Sequence, residues 1–581
     1  MVWIQNGETY NHDEIRKGIL KDWTITSHSD CAVTGPLYLE NGRDFDGVCD
    51  AQDGMYAIAM YDEGTGKFYA ARDEMGKASM YWGRRASDGS IWVASEMKAL
   101  IATCDEIYLF PPGHYMTVDG MINGRPAPEV MKRWFNERWV VDPDYQPQQP
   151  ADLVRLRELL VNAVVKRLMT DVPFGILLSG GLDSSLVAAI AVKHLKSATN
   201  SYNMGEKLKT FAIGLPGSPD LAAAQTVADM LGTDHTNFTF TVQEGIDCLD
   251  ELVYHIESYE QVRAAVPMYL LSRRIKALGI KMVLSGEGSD ELYGGYLYFH
   301  KAPSGEEFHR ECVRKTTRLH QWDVLRANKA PFAFGVEPRT PFLDRDFMNF
   351  SMEIRGQDKM IDLTQKPDGK HPKGEKYLIR KAFDTPEDPY LPDSVLWRQK
   401  EQFSDGVGYS WVDGLKDYAS SVVTDEQWAQ RAERFPVDTP RTREYYLLRS
   451  IFEKHYPGKY ALDTVPKGLS VACSSPEAVA WDPAWKDLHE ISGRAIGVHD
   501  AAAGFRSMDE DSKRTKEATQ VSKAVPVAMR AMDVVRAPRA AVRMTGPRRI
   551  GGVMMRKGGT VGALVVPPTT RVAMSSRVWL R

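Results

Sequence analysis

No run of apolar residues in this chain approaches the ~20 that a membrane-spanning helix needs, so an integral membrane protein is not expected. The opening MVWIQNGETYNHDE has no basic stretch followed by an apolar core, the mark of a secretory leader. The six cysteines (31, 49, 104, 248, 312, 473) lie far apart with no CxxC pair. That spacing argues against a zinc cluster and fits a reducing, cytoplasmic setting. There is no GxxxxGK[ST] segment, so an ordinary P-loop is excluded. Nor is there an excess of one charge: 73 Lys+Arg against 77 Asp+Glu leaves −4. The balance is uneven, however. From Asp500 to Arg581 there are 16 basic and 6 acidic residues, a net +10, which leaves −14 on residues 1–499. An acidic body gives no general sign of nucleic-acid binding.

What is present is material for large cores: 43% hydrophobic, 10% aromatic and 26% charged residues over 581 positions. Residues 1–122 read as β-rich. GMYAIAMYDEGTGKFYAARD (Gly54–Asp73) alternates around a glycine-containing turn and predicts a hairpin. IWVASE and GHYMTVDG predict further strands, and the proline-interrupted stretch 123–152, with DPDYQPQQP, reads as a linker. From residue 153 the pattern changes. LVRLRELLVNAVVKRLM has helical apolar spacing; FGILL, TFAIG, HTNFTFT and IKMVL read as strands separated by helical segments. Alternation of this kind predicts an α/β domain with a parallel sheet covered on both faces over residues 153–499, mostly helical after 300. The tail 500–581 has two aromatics, Phe505 and Trp579, and little packed structure is expected of it. No internal repeat is visible.

Two turns carry chemistry. Ser179-Gly180-Gly181-Leu182-Asp183-Ser184-Ser185 follows the strand FGILL and opens a helix. Glycines allow close backbone approach, and the first amides of the helix are unpaired donors backed by the positive dipole end, so an anion is favoured there. Asp183 would repel a phosphate unless a cation lay between them, which points to Mg²⁺. Helix capping by Asp and Ser is the competing reading of the same turn. The second turn, Ser285-Gly286-Glu287-Gly288-Ser289-Asp290-Glu291, follows the strand ending at Leu284 and groups three carboxylates among small residues. That combination suits a cation and general-base site, against the plainer reading of a solvated acidic loop.

At these turns the sequence closely resembles the glutamine-hydrolysing asparagine synthetases of the B type, members of the ATP-pyrophosphatase superfamily with its SGGxDS signature. TFAIGLPGSPD (Thr210–Asp220), IKMVLSGEGSDELYGGYLYFHKAP (Ile280–Pro303) and WRQKEQFSDGVGYSW (Trp397–Trp411) extend the resemblance, as do SVACSS and SGRAIGVH near the end of the body. NGETYNH (Asn6–His12), SDC (Ser29–Cys31) and ASEMKAL (Ala94–Leu100) resemble the family's class II glutamine amidotransferase domain. The implied fold is an adenine nucleotide α-hydrolase-like parallel-sheet domain preceded by a partial β-rich domain of Ntn type. The implied reaction adenylates aspartate with ATP and Mg²⁺, releases pyrophosphate, and displaces AMP with ammonia, supplied from glutamine in the full-length family. Residue by residue, Ser179, Gly180, Gly181, Asp183 and Ser184 match the pyrophosphate and Mg²⁺ loop, and Leu178, Ile213, Ser285 and Gly286 match adenosine-binding positions. Glu287 matches a carboxylate that serves the intermediate and takes a proton from the incoming nitrogen; Asp290 matches a second Mg²⁺ acid. Lys400 matches the lysine facing the α-phosphate, and Arg263 a residue near the substrate and ammonia path. The family is often dimeric.

Departures from the family shape the expectations. Its glutaminase domains start with a cysteine whose thiol attacks glutamine with help from its own α-amino group; here residues 1 and 2 are Met and Val, and the sequence starts well inside the family domain. Asn6 and Gly7 match the oxyanion hole, and Glu8 and Asp30 the groups holding glutamine's amino end, without that nucleophile. A truncated glutaminase domain, no glutaminase activity and an ammonia-dependent synthetase are therefore expected. The segment Ser258–Leu270 is shorter than in the family and lacks paired threonines before Arg263. Another ATP-pyrophosphatase amide synthetase, such as a β-lactam-synthetase-like enzyme, and an inactive or regulatory relative remain as alternatives.

Overall fold

The structure is a computed structural model describing residues 1–122, 125–197, 207–399, 402–486, 488, 490, 492, 563–565 and 574–575. Its N-terminal part is built on two antiparallel sheets. Strands β1 (Val2–Thr9), β2 (Gly54–Asp62), β3 (Lys67–Arg72), β7 (His114–Asp119) and β8 (Val130–Arg133) form the first, in that order. The second contains β5 (Ile91–Ala94), β4 (Tyr81–Arg84) and β6 (Glu106–Leu109). The predicted hairpin is β2–β3, in register from Ala57 opposite Arg72 to Asp62 opposite Lys67. Ala57, Ala59, Phe68, Ala70, Ile91, Val93, Met116 and Val118 pack between the two sheets, each at alternate positions along its strand, as a half-buried pleat requires.

The stretch expected to be a linker does more than connect. Val130–Arg133 pairs with β7 as an edge strand, and the following Trp134, Phe135 and Trp139 are buried in the main core. Prolines before and after these residues masked the signal, because three large aromatics bury more apolar surface than the local prolines cost in regular structure. In the tail, the described Ala563–Val565 (β14) and Met574–Ser575 (β15) pair with each other, and β14 adds to the edge of β5. The rest of 500–581 lies outside the described residues.

The second half contains a five-stranded, all-parallel sheet. It comprises β9 (Phe174–Leu177), β10 (Lys209–Gly214), β11 (Asp234–Thr239), β12 (Met282–Leu284) and β13 (Glu337–Arg339), in the spatial order β11-β10-β9-β12-β13. The central strands are apolar and buried on both faces, as crossover helices demand. The edge strand β11 is polar and partly exposed. Helix α1 (Leu153–Lys166) buries Leu156, Leu159, Leu160, Ala163 and Val164, one face at helical spacing, and Asp152 caps it by accepting from Val154 and Arg155 amides. Helix α2 (Leu182–Ser197) follows β9, and α3 (Pro219–Leu231) follows β10, capped by Ser218 and stopped by Gly232 in the left-handed conformation. Helix α4 (Val262–Ala277) precedes β12. The short β13 went unseen in the sequence because three residues give no period to read. Among the described residues no helix is long and apolar enough to cross a membrane.

Candidate active site

The strand order reverses between β9 and β12, one chain running outward on each side. In a parallel sheet this is where the loops after adjacent strands separate and leave a crevice at the carboxyl ends. Both chemistry-bearing turns sit there. After β9, Gly180 adopts φ +72°, and a Cβ at that position would come within 2.5 Å of the Ala223–Ala224 backbone of α3, so only glycine lets the loop lie against that helix. Ser184 folds back over the turn: its Oγ accepts from the Ser179 amide at 3.1 Å and contacts Ser179 Oγ at 3.0 Å. The turn after β12 meets it directly. A Cβ on Gly286 would lie 2.8 Å from the Ser184 nitrogen and 2.9 Å from Asp183 Cβ. The Ser285 amide donates to the Arg339 carbonyl at 2.9 Å, which fixes the turn to β13.

Around this junction one cavity is lined by Leu178, Ser179, Asp183, Ser184, Ile213, Ser285, Gly286, Glu287, Asp290 and Arg263. Its lining combines apolar side chains (Phe211, Ile213, Met268, Leu271) with the carboxylates of Asp183, Glu287 and Asp290. Such a mixed lining suits a flat aromatic base joined to a charged chain. A neighbouring cleft, bounded by Ser179, Gly181, Asp183 and Asp220, is walled on the other side by Lys376, Arg380 and Arg398. Basic side chains thus face the glycine loop, as an anion site requires. Asp183 and Asp290 are joined by one ammonium: Lys376 Nζ lies 2.6 Å from Asp183 Oδ2 and 2.6 Å from Asp290 Oδ1. Asp183 Oδ1 is buried and has no hydrogen-bond partner among the described residues. An all-oxygen donor pair with an unmet buried oxygen fits a hard divalent cation such as Mg²⁺.

Comparison with known proteins bears on the same residues. A family model described as asparagine synthase matches residues 155–307 and 301–465, and a glutamine amidotransferase domain model matches 1–102. Glutamine-hydrolyzing asparagine synthetase 3 of Arabidopsis thaliana is 50% identical over 518 residues, 88% of this chain and 85% of that protein. The root enzyme of Pisum sativum is 48% identical over 528 residues (90% and 85%), and asparagine synthetase 2 of Oryza sativa subsp. japonica 51% over 510 (86% and 82%). The chain belongs to the asparagine synthase family.

Within this asparagine synthase fold the remaining expected residues of the parallel-sheet domain are Glu287, Arg263 and Lys400. Glu287 borders the cavity, and Arg326 Nη2 donates to both its oxygens at 3.2 Å and to Asp323 at 2.7 Å. Arg326 is buried on the helix Asp323–Phe332, so it fixes the orientation of the Glu287 carboxylate. Arg263 borders the cavity as well, but its guanidinium is committed elsewhere: it forks onto Glu444 at 2.8 and 2.7 Å and also binds Glu490. Arg263 therefore organises the wall of the cavity. Lys400 lies outside the described residues; Gln399 and Gln402 on either side border the two cavities.

The N-terminal residues form a separate group. Gly7 has φ +122°, and a Cβ there would collide with the Met55 carbonyl across the β1–β2 pair. Asn6 Nδ2 donates to Ser95 Oγ at 2.9 Å, and Asp30 accepts from the Thr9 amide at 2.7 Å. Glu8 pairs with Arg339, 3.4 Å away on the far half of the molecule. Cys31, beside Asp30, has its thiol pushed well above the usual range by burial and by the Asp30 and Glu8 charges. Burial also raises the Cys49 thiol well above the usual range and the Cys104 thiol to about 11. None of the three is an activated thiolate.

Several residues escaped the sequence reading. Arg398 donates to the Gly180 carbonyl at 3.1 Å and to Asp220 at 3.2 Å, clamping the glycine loop. Both belong to segments that carry the family resemblance, so a signal existed for them. Lys376 and Arg326 are lone basic residues on separate elements, and nothing local marks them.

Proposed function

We propose that the chain makes asparagine from aspartate, ATP and ammonia. The observation that carries this is the junction of the Ser179–Ser184 and Ser285–Asp290 turns at one crevice, with an apolar slot on one side and cationic walls on the other. Leu178, Ile213, Ser285 and Gly286 border the slot for adenine and ribose, and the Ser179–Ser184 loop takes the pyrophosphate end. Asp183 and Asp290 would hold Mg²⁺, which supplies charge neutralisation for the phosphates when bound. An aspartate β-carboxylate oxygen bonds to the α-phosphorus, and the bond from that phosphorus to the bridging oxygen of pyrophosphate breaks. Lys400 is assigned to the charge growing on the α-phosphate. Ammonia then bonds to the carbonyl carbon, the carbon–oxygen bond to AMP breaks, and Glu287 takes a proton from the nitrogen. Its ion pair with Arg326 holds the carboxylate at the cavity border where that proton would be taken. Holding the groups in line does most of the work.

The nitrogen is assigned to free ammonia: burial pushes the Cys31, Cys49 and Cys104 thiols up, away from the thiolate form that attack on glutamine would need. Six free cysteines are consistent with a cytoplasmic setting. Pyrophosphate release should require both aspartate and Mg·ATP, and asparagine should form on adding ammonium, with no glutamate released from glutamine. Pyrophosphate release that ignores aspartate would reject the reading.

A further inference from the structure

Lys376 stands between the two carboxylates read above as the Mg²⁺ acids. It comes from a distant part of the chain, at the entry to the helix Tyr377–Ala382, with its backbone in the left-handed conformation at φ +56°. Its side chain is 2% exposed, and its ammonium touches both Asp183 and Asp290 at 2.6 Å. Room for it is made by Gly295, where a Cβ would lie 2.1 Å from Lys376 Cε and 2.0 Å from Asp290 Oδ1. The packing therefore places this ammonium between the two acids.

Building on the reading of Asp183 and Asp290 as the Mg²⁺ acids, we propose that Lys376 is a resident counter-ion that makes metal binding conditional on the phosphate chain. The two carboxylates repel each other unless a cation lies between them. An ammonium and a metal ion bound to both acids need the same space, so the metal must displace Lys376. A displaced, buried ammonium needs a new anion. The nearby carboxylates do not supply one: Glu375 is paired with Arg380, and Asp220 with Arg398. A triphosphate or pyrophosphate entering the cleft between Ser179, Gly181, Arg380 and Arg398 does supply one. Metal alone is thus resisted, whereas metal with phosphate is admitted. The ammonium holds the acids in place meanwhile, so the site does not collapse when empty of nucleotide.

The test is Mn²⁺ binding by the full chain, followed by electron paramagnetic resonance of the free ion. Without nucleotide, K376M should bind Mn²⁺ at least ~10-fold more tightly than the wild type, a difference of about 1.4 kcal/mol. Adding pyrophosphate should tighten Mn²⁺ binding strongly in the wild type and much less in K376M. K376R, which keeps the charge, should behave like the wild type. If K376M does not fold, K376Q replaces it, neutral but able to donate to one carboxylate. Equal Mn²⁺ affinity in the wild type and the neutral variant, with both proteins still binding Mn·ATP, would overturn the proposal and leave the synthetase reading standing. Failure of the wild type to bind Mn·ATP at all would reject the synthetase reading itself.

Discussion

Asp183 and Asp290 in the parallel-sheet half, and Asp30 and Glu8 in the N-terminal half, are carboxylates that the family resemblance places at ligands. Their surroundings differ. Asp183 and Asp290 border an open crevice, share one ammonium, and leave a buried oxygen of Asp183 without a partner. Asp30 is buried and receives the Thr9 amide and the Cys31 thiol, while Glu8 is drawn to Arg339. One half keeps charge available to a ligand; the other uses its charge within the fold. The difference teaches that a matching residue type is not yet a working site: what counts is which polar atoms the fold leaves unmet.

The two halves are nonetheless bolted together. Glu257 of the second half is buried at φ +57° and accepts the Met97 and Lys98 amides at 2.8 and 2.7 Å. Burial alone would push its pKa up, but the Lys329 and Lys98 ammonium groups outweigh it and hold the carboxyl well below the usual carboxylate range. Asn328, next to Lys329, donates to the Lys77 carbonyl at 2.9 Å, and Arg326 on the same helix holds Glu287. A single helix thus touches both the N-terminal layer and the candidate active site.

The comparison can be broken most sharply at Asp183. D183N keeps the size and removes the charge, and it should slow aspartate-dependent pyrophosphate release by ~10³-fold; unchanged kinetics would put the acid outside the chemistry. Next in size is the bolt between the halves. E257A leaves Lys329 and two amides buried without their acceptor and should cost about 3–5 kcal/mol, read as a lower urea midpoint of the full chain. A midpoint equal to the wild type would show the halves to be independently stable.

A smaller effect is expected at Glu260, close to the cavity wall. Burial, with help from Asp438 and Glu444, raises its carboxyl to about 8, against a hydrogen bond from Tyr445. Because the folded value lies above the unfolded one, the fold prefers the protonated form. Its contribution is complete below the unfolded value and fades as pH rises through about 8. Replacing it in E260Q should flatten the decline of the urea midpoint between about pH 5 and 9; an identical profile would show that Glu260 is not the titrating group. The smallest effect belongs to the N-terminal half. C31A should leave ammonium-dependent asparagine formation unchanged, and glutamine should yield no glutamate with either residue. Glutamate release that disappears in C31A would reverse the contrast drawn between the halves.

Legibility followed locality. SGGLDSS and GEGSDE could be read because each packs glycine, hydroxyl and carboxylate into one turn after an apolar strand, and the strand–turn–helix context repeats within a few residues. The hairpin Gly54–Arg72 and helix Leu153–Lys166 were readable for the same reason, through period two and period 3.6. Val130–Arg133 was not, since its pairing partner lies in β7 and its four residues, mostly exposed, show no alternation of apolar and polar positions.

From the residues alone come the parallel-sheet class, the two ligand turns and the family. Only the tertiary structure decided that these turns touch, that Lys376 stands between Asp183 and Asp290, that Arg326 steadies Glu287, and that Arg263 serves Glu444 and Glu490. The physical reason is range. A turn or a helix face is written in neighbouring residues, whereas an ion pair between positions 183 and 376 exists only after the chain has folded and carries no local pattern beforehand.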